Sequence, residues 1–481
     1  GACVPVGEAG ASIYRICQRH EAGQHGIDHR LDFRARGGAQ LHAHDCMVQH
    51  FAEPARGDGA ALQRGLSVVI GQQWLIANNH AAMPLGLFLF KGMNARIANA
   101  MRVISNYGHL TAASDEESLG LADKLYIQRD IDAGLAEYCD LFLAQGALHA
   151  EAIKEKTGAP DKAIRTVGNP RIDLLRHPFS ALYETEADAL RETHGDYVLL
   201  NTNIGAVNSA FGSQEKYKEV VIRIGWMDPD NDKDNALFDS IVAFDEANMT
   251  LSRAVVAHLS KTFPDTKLIV RPHGSERMDT WEAYCADFSN VEAIRQGRHA
   301  SWILGSRAVV HTCCTTGLEA EILGRAAVNF RPDAHERLLH RVFIANIANI
   351  SANNAKEVGD LLSPVLTGDA SVFEHGRPER LAALTPHITN ITERFAYERI
   401  ADIAQELLTS RGAVRNGFRW EVTDPENYLG AVRRTNYQRE KINLSQPDFE
   451  RAWAEMRTLA NFDAPIQTRQ IGDSLFLVKP A

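Results

Sequence analysis

Two short stretches of the chain place phosphate-binding side chains directly after apolar runs. In the first, KLIVRPHGSERMDTW (267–281), Arg271, His273 and Glu276 follow an apolar run that predicts a buried strand. Arginine and histidine both donate hydrogen bonds to phosphate oxygens, and the arginine fork suits a diphosphate or a phosphodiester. A lone surface histidine is usually inert, so the strand-end position and the basic neighbour are what favour a phosphate site here.

The second stretch, RAVVHTCCTTGLEAEILGRAAVNF (307–330), predicts a strand, a loop of small polar residues, a short helix and another strand. Thr316 and Glu319 fit a capping box, in which the threonine caps the helix and the glutamate reaches back. The amides of a helix N-terminus attract phosphate, and α/β proteins bind ligands at the carboxyl ends of parallel strands. The alternative is an ordinary capped helix in a βαβ unit.

Three consecutive acids, Asp115, Glu116 and Glu117, lie in the stretch HLTAASDEESLG (109–120). At the start of a helix they would simply favour its macrodipole. The alternative is that one carboxylate faces a cleft as a general base, with its pKa raised by its like-charged neighbours. The sequence leaves both interpretations open.

Polar residues also gather at the end of a predicted strand, YVLLNTN (197–203). The amides of Asn201 and Asn203, together with Thr202 and Asn208, could hydrogen-bond a sugar or stabilise a turn. Both interpretations remain open at this stage.

Several kinds of site are not expected. The aspartates between residues 228 and 234 resemble a calcium loop, but Lys233 stands where such a loop needs glycine and Asp239 replaces the bidentate glutamate. A solvated acidic loop is therefore predicted, and no metal site. The chain has no GxxxxGK[ST] loop, no GxGxxG after the first strand and no GxSxG elbow. P-loop phosphoryl transfer, a dinucleotide cofactor and a hydrolase elbow are thereby excluded, and no cofactor is expected.

Composition and charge limit the class of protein. At 481 residues the chain is about three times a typical domain, so two domains with extensions are expected. Hydrophobic residues at 45% and charged residues at 23% are ordinary for a globular protein and argue against disorder, collagen or a coiled coil. The net charge of -10 gives no general attraction for nucleic acid or anionic lipid, so phosphate binding must be local and no nucleic-acid partner is expected.

The seven cysteines are widely spread and form no CxxC pair, which is typical of reduced cytosolic thiols. No apolar run approaches the ~18 residues of a membrane span. The first residues, GACVPVGEAG, lack the regions of a secretion signal. These features predict a cytoplasmic protein with no transmembrane segment.

Short apolar runs alternate with helical stretches along most of the chain, as in SVVIG (67–71), LFLFKG (87–92) and LFLAQG (141–146). Strands separated by helices imply βαβ units and a parallel sheet. A second such series starts after the charged segment 174–196, which is the best linker candidate. The sequence therefore predicts an α/β protein of two Rossmann-like domains, with parallel sheets facing a central cleft.

The predicted bounds are 1–195 for the N-terminal domain, 196–409 for the C-terminal domain and 410–481 for an extension packed on one or both of them. An amphipathic helix over about Ile391 to Leu408 closes the second domain. Residues 1–65 are atypical, with a histidine-rich tract between His20 and His50 that is expected to be an irregular surface insertion.

Taken together with TVGNPRIDLL (166–175) and VLLNTN, these stretches resemble a bacterial family called surface carbohydrate biosynthesis proteins. The resemblance extends over about Gly65 to Leu408 and consists of five motifs in order. That family looks like the GT-B glycosyltransferases, and GNPRID with the Glu319 helix is also similar to non-hydrolysing UDP-N-acetylglucosamine 2-epimerases. GT-B transferases that use CMP-sialic acids carry an acidic pair, a His-Pro pair and a Ser/Thr pair.

The resemblance implies roles for residues already singled out. The acids at 115–117 match the acidic pair, and Thr315-Thr316 match the hydroxyl pair. The middle motif departs, because this chain has Pro272-His273 in reverse order, and His273 is given its phosphate role.

On this resemblance we expect a glycosyltransferase of surface glycan biosynthesis that transfers an acidic sugar, of the Kdo or nonulosonic type, from a CMP-activated donor. The C-terminal domain would hold the donor without a metal, the N-terminal domain would take the acceptor, and an acid at 115–117 would deprotonate it. Glu319 would bind the ribose or complete its capping box. A glycan or lipid-linked acceptor is expected, and a lipid-linked one would bring the enzyme to the inner membrane face.

Two alternatives remain open from the sequence. One is a sugar-nucleotide epimerase acting on a UDP-hexosamine. The other is a noncatalytic GT-B scaffold in an envelope-glycan complex. Whether a transferase would invert or retain configuration is also undecided, because a carboxylate could act as a nucleophile.

Overall fold

The computed structural model of the chain describes residues 12–17, 59–223, 227–332, 343–411, 445–472 and 474–481. Within them the chain forms two β-sheets, one of eight strands and one of six, with helices packed on both. The predicted α/β class with two Rossmann-like, largely parallel sheets is confirmed.

The strands are, in chain order, β1 (Ser12–Cys17), β2 (Ser67–Gln72), β3 (Leu87–Lys91), β4 (Leu110–Ser114), β5 (Leu141–Ala144), β6 (Ile164–Thr166), β7 (Tyr197–Asn201), β8 (Lys267–Arg271), β9 (Val291–Ala293), β10 (Ala308–His311), β11 (Ala327–Phe330), β12 (Ile350–Ala352), β13 (Ile466–Gly472) and β14 (Leu475–Pro480).

The helices used below are α1 (Gln73–Asn78), α2 (Ala95–Asn106), α3 (Lys124–Arg129), α4 (Ala147–Thr157), α5 (Pro170–Leu175), α6 (Glu184–His194), α7 (Gln214–Arg223), α8 (Asp232–Thr262), α9 (Met278–Cys285), α10 (His299–Gly305), α11 (Thr315–Ile322), α12 (Ala345–Ala348), α13 (Ala355–Leu366), α14 (Ser371–His375), α15 (Arg377–Leu384), α16 (Ala396–Arg411) and α17 (Gln446–Leu459).

The eight-stranded sheet, sheet 1, has the order β13-β14-β2-β1-β3-β4-β5-β6. Its members β1 to β6 are parallel, and β4 and β5 are buried along their whole length, as expected of apolar runs covered on both faces. Strand β1, within the segment 1–65 described as atypical, was not predicted, and it lies between β2 and β3 inside the sheet. The histidine-rich tract falls outside the described residues.

The six-stranded sheet, sheet 2, has the order β12-β11-β10-β7-β8-β9 and is parallel throughout. Three of its buried strands end in polar residues, namely Asn201 on β7, Arg271 on β8 and His311 on β10. Because Asn201 is the register partner of both others, the three side chains leave the sheet on the same face. Polar groups are thus concentrated at one edge of sheet 2.

Helix α8 is much longer than the sequence pattern suggested. It runs for 31 residues, and the stretch LSRAVVAHLSKT (251–262) is only its final part. This final part packs on sheet 2, whereas the first turn of α8 approaches sheet 1, where Arg129 of α3 pairs with Asp234 at 3.0 Å. Among the described helices, none combines the length and apolar character needed to cross a bilayer.

The charged segment predicted as a linker, 174–196, is instead a packed part of the fold. Most of it is helical, with α6 covering residues 184–194, and Phe179 and Tyr183 just before α6 are buried in the main core. Glu186 of α6 accepts a hydrogen bond of 2.7 Å from the side chain of Arg298 beside sheet 2. The chain therefore passes from sheet 1 to sheet 2 through ordered structure.

Helix α16 begins at Ala396, five residues after the predicted start at Ile391, because a buried carboxylate caps it there. Asp173 of α5 is 0% exposed and accepts hydrogen bonds from the backbone amides of Ala396 at 3.1 Å and Tyr397 at 3.0 Å. The Asn390 side chain donates to the same carboxylate at 2.5 Å. An acceptor from a distant part of the chain thus satisfies the free amides of this helix.

The end of the chain belongs to sheet 1. Strand β14 pairs antiparallel with β2, and β13 pairs with β14 as the outermost strand. Helix α17 packs beside this hairpin, where Phe449 and Phe476 stack with ring centroids 4.3 Å apart. The predicted extension is therefore packed on sheet 1 as far as it is described, since 412–444 lie outside the described residues.

We expect Asp173→Asn to lower the free energy of unfolding by about 2–4 kcal/mol, because the new amide puts donors where two helix amides need acceptors. Urea unfolding followed by circular dichroism measures this loss. Asp161→Asn is the matched control, since the Asp161 side chain is 80% exposed and its ion pair should contribute less than ~1 kcal/mol. Equal stability of the two variants would contradict the capping role.

Candidate functional site

The residues that follow β4 in sheet 1 lie against the start of α11 beside sheet 2, and we call this contact between the two sheets the seam. Gly120, which ends the short 3₁₀ turn Glu117–Gly120 after β4, lies against the first residue of α11. A Cβ atom built on Gly120 would be 2.8 Å from Cγ2 of Thr315. The carbonyl oxygen of Gly120 also accepts from the amide of Ile344 at 2.9 Å. The fold thus brings the acidic residues and the threonine pair, far apart in sequence, to the same place.

The acidic residues lie at the carboxyl end of β4 and not at the start of an α-helix. Asp115 and Glu116 are each 6% exposed. Glu116 faces Lys91, at the end of β3, with an N–O distance of 3.6 Å, and Asp115 accepts from the amide of Ser118 at 3.3 Å. Glu117 starts the 3₁₀ turn, and its side chain lies outside the described residues. Two buried carboxylates with a lysine partner therefore line the sheet 1 side of the seam.

Asn169 ties the acidic turn to the next two strands. Its side-chain amide donates to the carbonyl oxygen of Glu116 at 3.3 Å and to Oε1 of Gln145 at 3.0 Å. Its Oδ1 accepts from the amide of Arg171, so Asn169 also caps α5. The ends of β4, β5 and β6 are thereby locked into one polar network.

An ion pair crosses the seam from α5 to α11. Arg171 and Glu319 are 3.2 Å apart, and the Glu319 side chain is only 8% exposed. Burial raises the pKa of Glu319, and the charge of Arg171 opposes that rise. Arg171 was not among the residues singled out from the sequence, although it belongs to the GNPRID stretch. The motif was singled out for the resemblance it carries, and it does not show which residue would cross the seam.

The predicted capping box at Thr316 and Glu319 is wrong. Helix α11 begins two residues earlier than predicted, Cys314 occupies the N-cap position and no side chain caps the helix. Glu319 turns to Arg171 instead of reaching back along the helix. Among the described residues, the buried hydroxyl of Thr316 has no oxygen or nitrogen partner, and the Cys314 thiol, a weak hydrogen-bonding group, interacts with it.

Gly317 allows α11 to pack tightly against sheet 2. A Cβ atom at this position would be 2.1 Å from Oδ1 of Asn349 and 2.1 Å from Nε2 of His311. His311 and Asn349 are themselves hydrogen-bonded at 2.9 Å. A glycine is therefore needed for the first turn of α11 to lie against the end of β10 and Asn349, the residue before β12.

The turn between β10 and α11 holds a strained backbone. Cys313 has a φ of 47° and is not glycine, a conformation that costs roughly 1–3 kcal/mol and is common at ligand sites. Its amide donates to Oδ1 of Asn329 at 2.9 Å, which fixes the turn. Burial raises the pKa of the Cys313 thiol to about 12, which disfavours the thiolate form that a nucleophilic cysteine needs.

Arg271, predicted to bind phosphate, is engaged within the protein. It is 8% exposed and donates to the carbonyl oxygens of Gln296 at 2.5 Å and Gly297 at 3.1 Å. Its guanidinium also lies 5.3 Å from the ring centroid of Trp302. Burial lowers the pKa of Arg271 to about 10, which leaves it charged at neutral pH. The side chain fixes the loop before α10 while adding positive charge to the seam.

Glu276, also predicted to bind phosphate, is an internal organiser. It is 0% exposed. Its carboxylate accepts hydrogen bonds from the hydroxyl of Thr202, the amides of Ile204 and His273, the side-chain amide of Asn208 and the indole of Trp281. This carboxylate therefore holds together the loops after β7 and β8. The predicted phosphate-binding role of Glu276 is wrong, because a fully buried anion with these donors has no surface to offer a ligand.

His273 remains at the surface of the loop after β8. Its Nδ1 accepts from the amide of Ser275 at 3.2 Å, which leaves the proton of a neutral ring on Nε2. Asn201 is 2% exposed, and both polar atoms of its amide are buried without a hydrogen-bond partner. Asn203 is half-buried. Of the polar residues after β7, Asn201 is thus the one with unmet hydrogen-bonding capacity at the strand ends.

His299, the first residue of α10, joins this site without having been singled out from the sequence. Its Nε2 is buried with no hydrogen-bond partner and lies 3.8 Å from a carboxylate oxygen of Glu319. Nothing in the local sequence, RQGRHASW, marks it, because its position depends on contacts with other elements. Within the described residues, no group of three or more His, Cys, Asp or Glu could hold a metal ion.

No protein-family model matches this chain, and no curated protein matches it in sequence. Several solved structures are similar in fold. A structure of the wall teichoic acid polymerase TagF aligns with a TM-score of 0.42 and 10% identity over 68% of this chain and 73% of that chain. S. aureus MnaA with UDP aligns with a TM-score of 0.47 and 11% identity over 83% and 97%. A UDP-N-acetylglucosamine 2-epimerase gives 0.45 and 11% over 86% and 99%.

These are distant likenesses, and the function of this chain has to be inferred from its own side chains. The described residues that share the seam are two acids at the end of β4, the Arg171–Glu319 pair, the first turn of α11 and the polar ends of β7 and β8.

We expect Gly317→Ala to lower the free energy of unfolding by about 1–3 kcal/mol, because the new methyl group overlaps His311 and Asn349. Gly274→Ala is the matched control, since a Cβ atom there meets no atom within 4 Å. Thermal unfolding of both variants measures the difference. If Gly317→Ala unfolds at the same temperature as Gly274→Ala, the close packing of α11 is not needed for stability.

Proposed function

We propose that this protein is a glycosyltransferase that binds a nucleotide-sugar at the carboxyl edge of sheet 2 and an acceptor hydroxyl beside the acidic residues of sheet 1. The observation that carries the proposal is the buried Thr316 hydroxyl, which has no oxygen or nitrogen partner at the start of α11. A buried polar group left in this state costs free energy that a ligand can recover.

The phosphate of the nucleotide-sugar is proposed to lie at the first turn of α11. This helix has eight residues and no side-chain cap. The amide of Thr316 and the hydroxyls of Thr315 and Thr316 interact with the Cys314 thiol, a weak hydrogen-bonding partner that an anion would replace. His273 lies on the neighbouring loop, and Arg271 contributes charge from behind it. These groups would stabilise the leaving phosphate without requiring a metal ion.

Sugar recognition is proposed for Asn201, with Asn203 at its side. An amide offers two donors and two acceptor sites, which suits sugar hydroxyls, and both polar atoms of Asn201 lack partners within the protein. Glu319 is proposed to hold Arg171 across the seam, which replaces the ribose-binding or capping role considered from the sequence.

Deprotonation of the acceptor hydroxyl is proposed for Asp115 or Glu116. Both are buried at the carboxyl end of β4, and the positive charge of Lys91 favours the ionised form of Glu116. A carboxylate that a lysine keeps ionised can accept a proton from a hydroxyl group placed between the two sheets.

The donor that we propose is a CMP-linked acidic sugar of the Kdo or nonulosonic type, on the sequence resemblance alone, and the acceptor is a glycan or a lipid-linked glycan. We propose a cytoplasmic location for this reaction. UDP is named with two of the similar solved structures and is therefore the competing ligand in the test. An epimerase acting on UDP-N-acetylglucosamine is the second candidate. It would convert that compound without an acceptor, which chromatography with mass spectrometry would detect.

We expect calorimetry to show binding of CMP in preference to CDP and UDP, with at least tenfold weaker binding in Thr316→Val and in His273→Ala, or ~1.4 kcal/mol. Thr316→Val should keep or raise the thermal stability of the free protein, because it removes a buried hydroxyl without an oxygen or nitrogen partner. A preference for UDP would indicate an enzyme that uses a UDP-sugar instead of a CMP-sugar. Unchanged binding in Thr316→Val would exclude the α11 site.

We expect Asp115→Asn or Glu116→Gln to lower the rate of sugar transfer by roughly 10²-fold or more, with nucleotide binding retained, because the base is lost and the phosphate site is not. Release of CMP from CMP-Kdo and CMP-nonulosonate donors in the presence of glycan acceptors measures the rate. Glu151→Gln, whose side chain on α4 is 65% exposed, is the control and should leave the rate unchanged. Full transfer by both acidic-site variants would exclude these acids as the base, whereas no transfer by the wild-type protein would point to a noncatalytic scaffold.

A further inference from the structure

His299 is held at the seam by a turn that other side chains fix in place. Arg271 donates to the carbonyl oxygens of Gln296 and Gly297, just before it. Glu186 of α6 accepts from the backbone amide of the residue that precedes His299, at 3.0 Å. The ring therefore starts from a fixed backbone, which is what a binding side chain needs in order to be positioned accurately.

The Nε2 atom of His299 is buried and has no hydrogen-bond partner among the described residues. The nearby carboxylate of Glu319 is 3.8 Å away, too far for a hydrogen bond, and its other oxygen is taken by Arg171 at 3.2 Å. The His299 side chain as a whole is 24% exposed, and because Nε2 itself is covered, a ligand must displace neighbouring groups to reach that atom. A ring nitrogen in this state is a candidate ligand contact, because pairing it would recover the cost of its burial.

Basic side chains from three parts of the fold lie close enough to this ring to influence it electrostatically. Arg171 lies on α5, Arg271 at the end of β8 and His273 in the following loop, and Glu319 of α11 is the acid that faces it. Burial first, and then the charges of Arg271, Arg171 and His273, lower the pKa of His299 well below 6.5. The ring is therefore neutral at pH 7 while no anion is bound.

We propose that His299 binds the phosphate of the nucleotide through Nε2 and takes up a proton from solvent as it does so. This inference rests on the proposed nucleotide site. A phosphate brings negative charge within hydrogen-bonding distance of the ring and offsets the arginines that keep the proton away, so the charged form of His299 becomes the favoured one. Binding and protonation are then linked, and each strengthens the other.

The same proton would serve the transfer step. The acceptor oxygen bonds to the anomeric carbon and gives its proton to Asp115 or Glu116. The bond from that carbon to the phosphate oxygen breaks, and its electron pair stays on the phosphate. The leaving nucleotide thus gains one negative charge, and the imidazolium of His299 lies where it would offset that charge.

Calorimetry in two buffers of different ionisation enthalpy, Tris and HEPES, tests the linkage. CMP and UDP are each titrated at pH 7.5, and the difference in heat between buffers gives the protons taken up per nucleotide. We expect uptake of about 0.5–1 proton in the wild type and less than ~0.2 in His299→Gln. Nucleotide binding should also weaken about tenfold in His299→Gln, and wild-type binding should weaken as pH rises from 7 to 9.

Three matched variants separate His299 from its neighbours. Glu319→Gln and His273→Gln should retain proton uptake, even where binding is weaker, and His375→Gln should change neither quantity, because His375 is exposed on α14. Nitrogen NMR of the wild-type protein with 15N-labelled histidine provides a second measurement that needs no variant. One ring should change from neutral to imidazolium when nucleotide is added.

Nucleotide binding without proton uptake, or uptake that persists in His299→Gln, would overturn the inference and leave the proposed nucleotide site standing. If neither CMP nor UDP binds, the nucleotide proposal fails, and pyrophosphate is titrated in the same two buffers. Pyrophosphate binding with uptake lost in His299→Gln would then support an anion site at His299. No binding, or binding without uptake, would refute it.

Discussion

The turn at residues 168–173 is the constraint on which the rest of the cleft depends. Gly168 has a φ of 95°, and a Cβ atom there would be 2.2 Å from Oδ1 of Asn390, so only glycine lets the turn and the returning chain approach so closely. From this turn Asp173 caps α16, Asn169 holds the acidic turn of sheet 1 and Arg171 reaches α11 of sheet 2. One short segment thus sets the distance between the proposed acid and the proposed phosphate site.

Electrostatics at the seam differ from those of the molecule as a whole. The chain carries a net charge of -10, yet arginines and histidines gather where the ends of β6 and β8 approach each other. Burial keeps this positive charge from being solvated, and it keeps His299 neutral beside Arg171 and Arg271. An anionic ligand would therefore meet a small region of positive charge on an otherwise acidic protein, and the attraction would be local and weakly screened by salt.

The sequence predicted what depends on local pattern. Apolar runs bounded by turns identified four of the six strands of sheet 2 but only β2, β3, β5 and β6 among the eight of sheet 1, and the strand-end rule brought attention to Asn201 and His273. Sequence patterns failed where contacts between distant parts of the chain determine the local structure. Glu319 fitted a capping box but pairs with Arg171. The segment 174–196 was predicted to be a linker because its many charged residues obscure the apolar positions that α6 buries. His299 could not have been found, because its environment is made by α5, α6, β8 and α11 together. The strand β1 lies in a stretch whose pattern showed no strand signal.

The antiparallel pairing of β14 with β2 has a consequence for synthesis on the ribosome. Strand β2 emerges about 400 residues before its partner on one side, residues 475–480. Until those residues are made, the nascent chain carries an open, apolar strand edge, the feature most prone to pair with other chains. Sheet 1 can therefore be completed only after the β13–β14 hairpin has been synthesised.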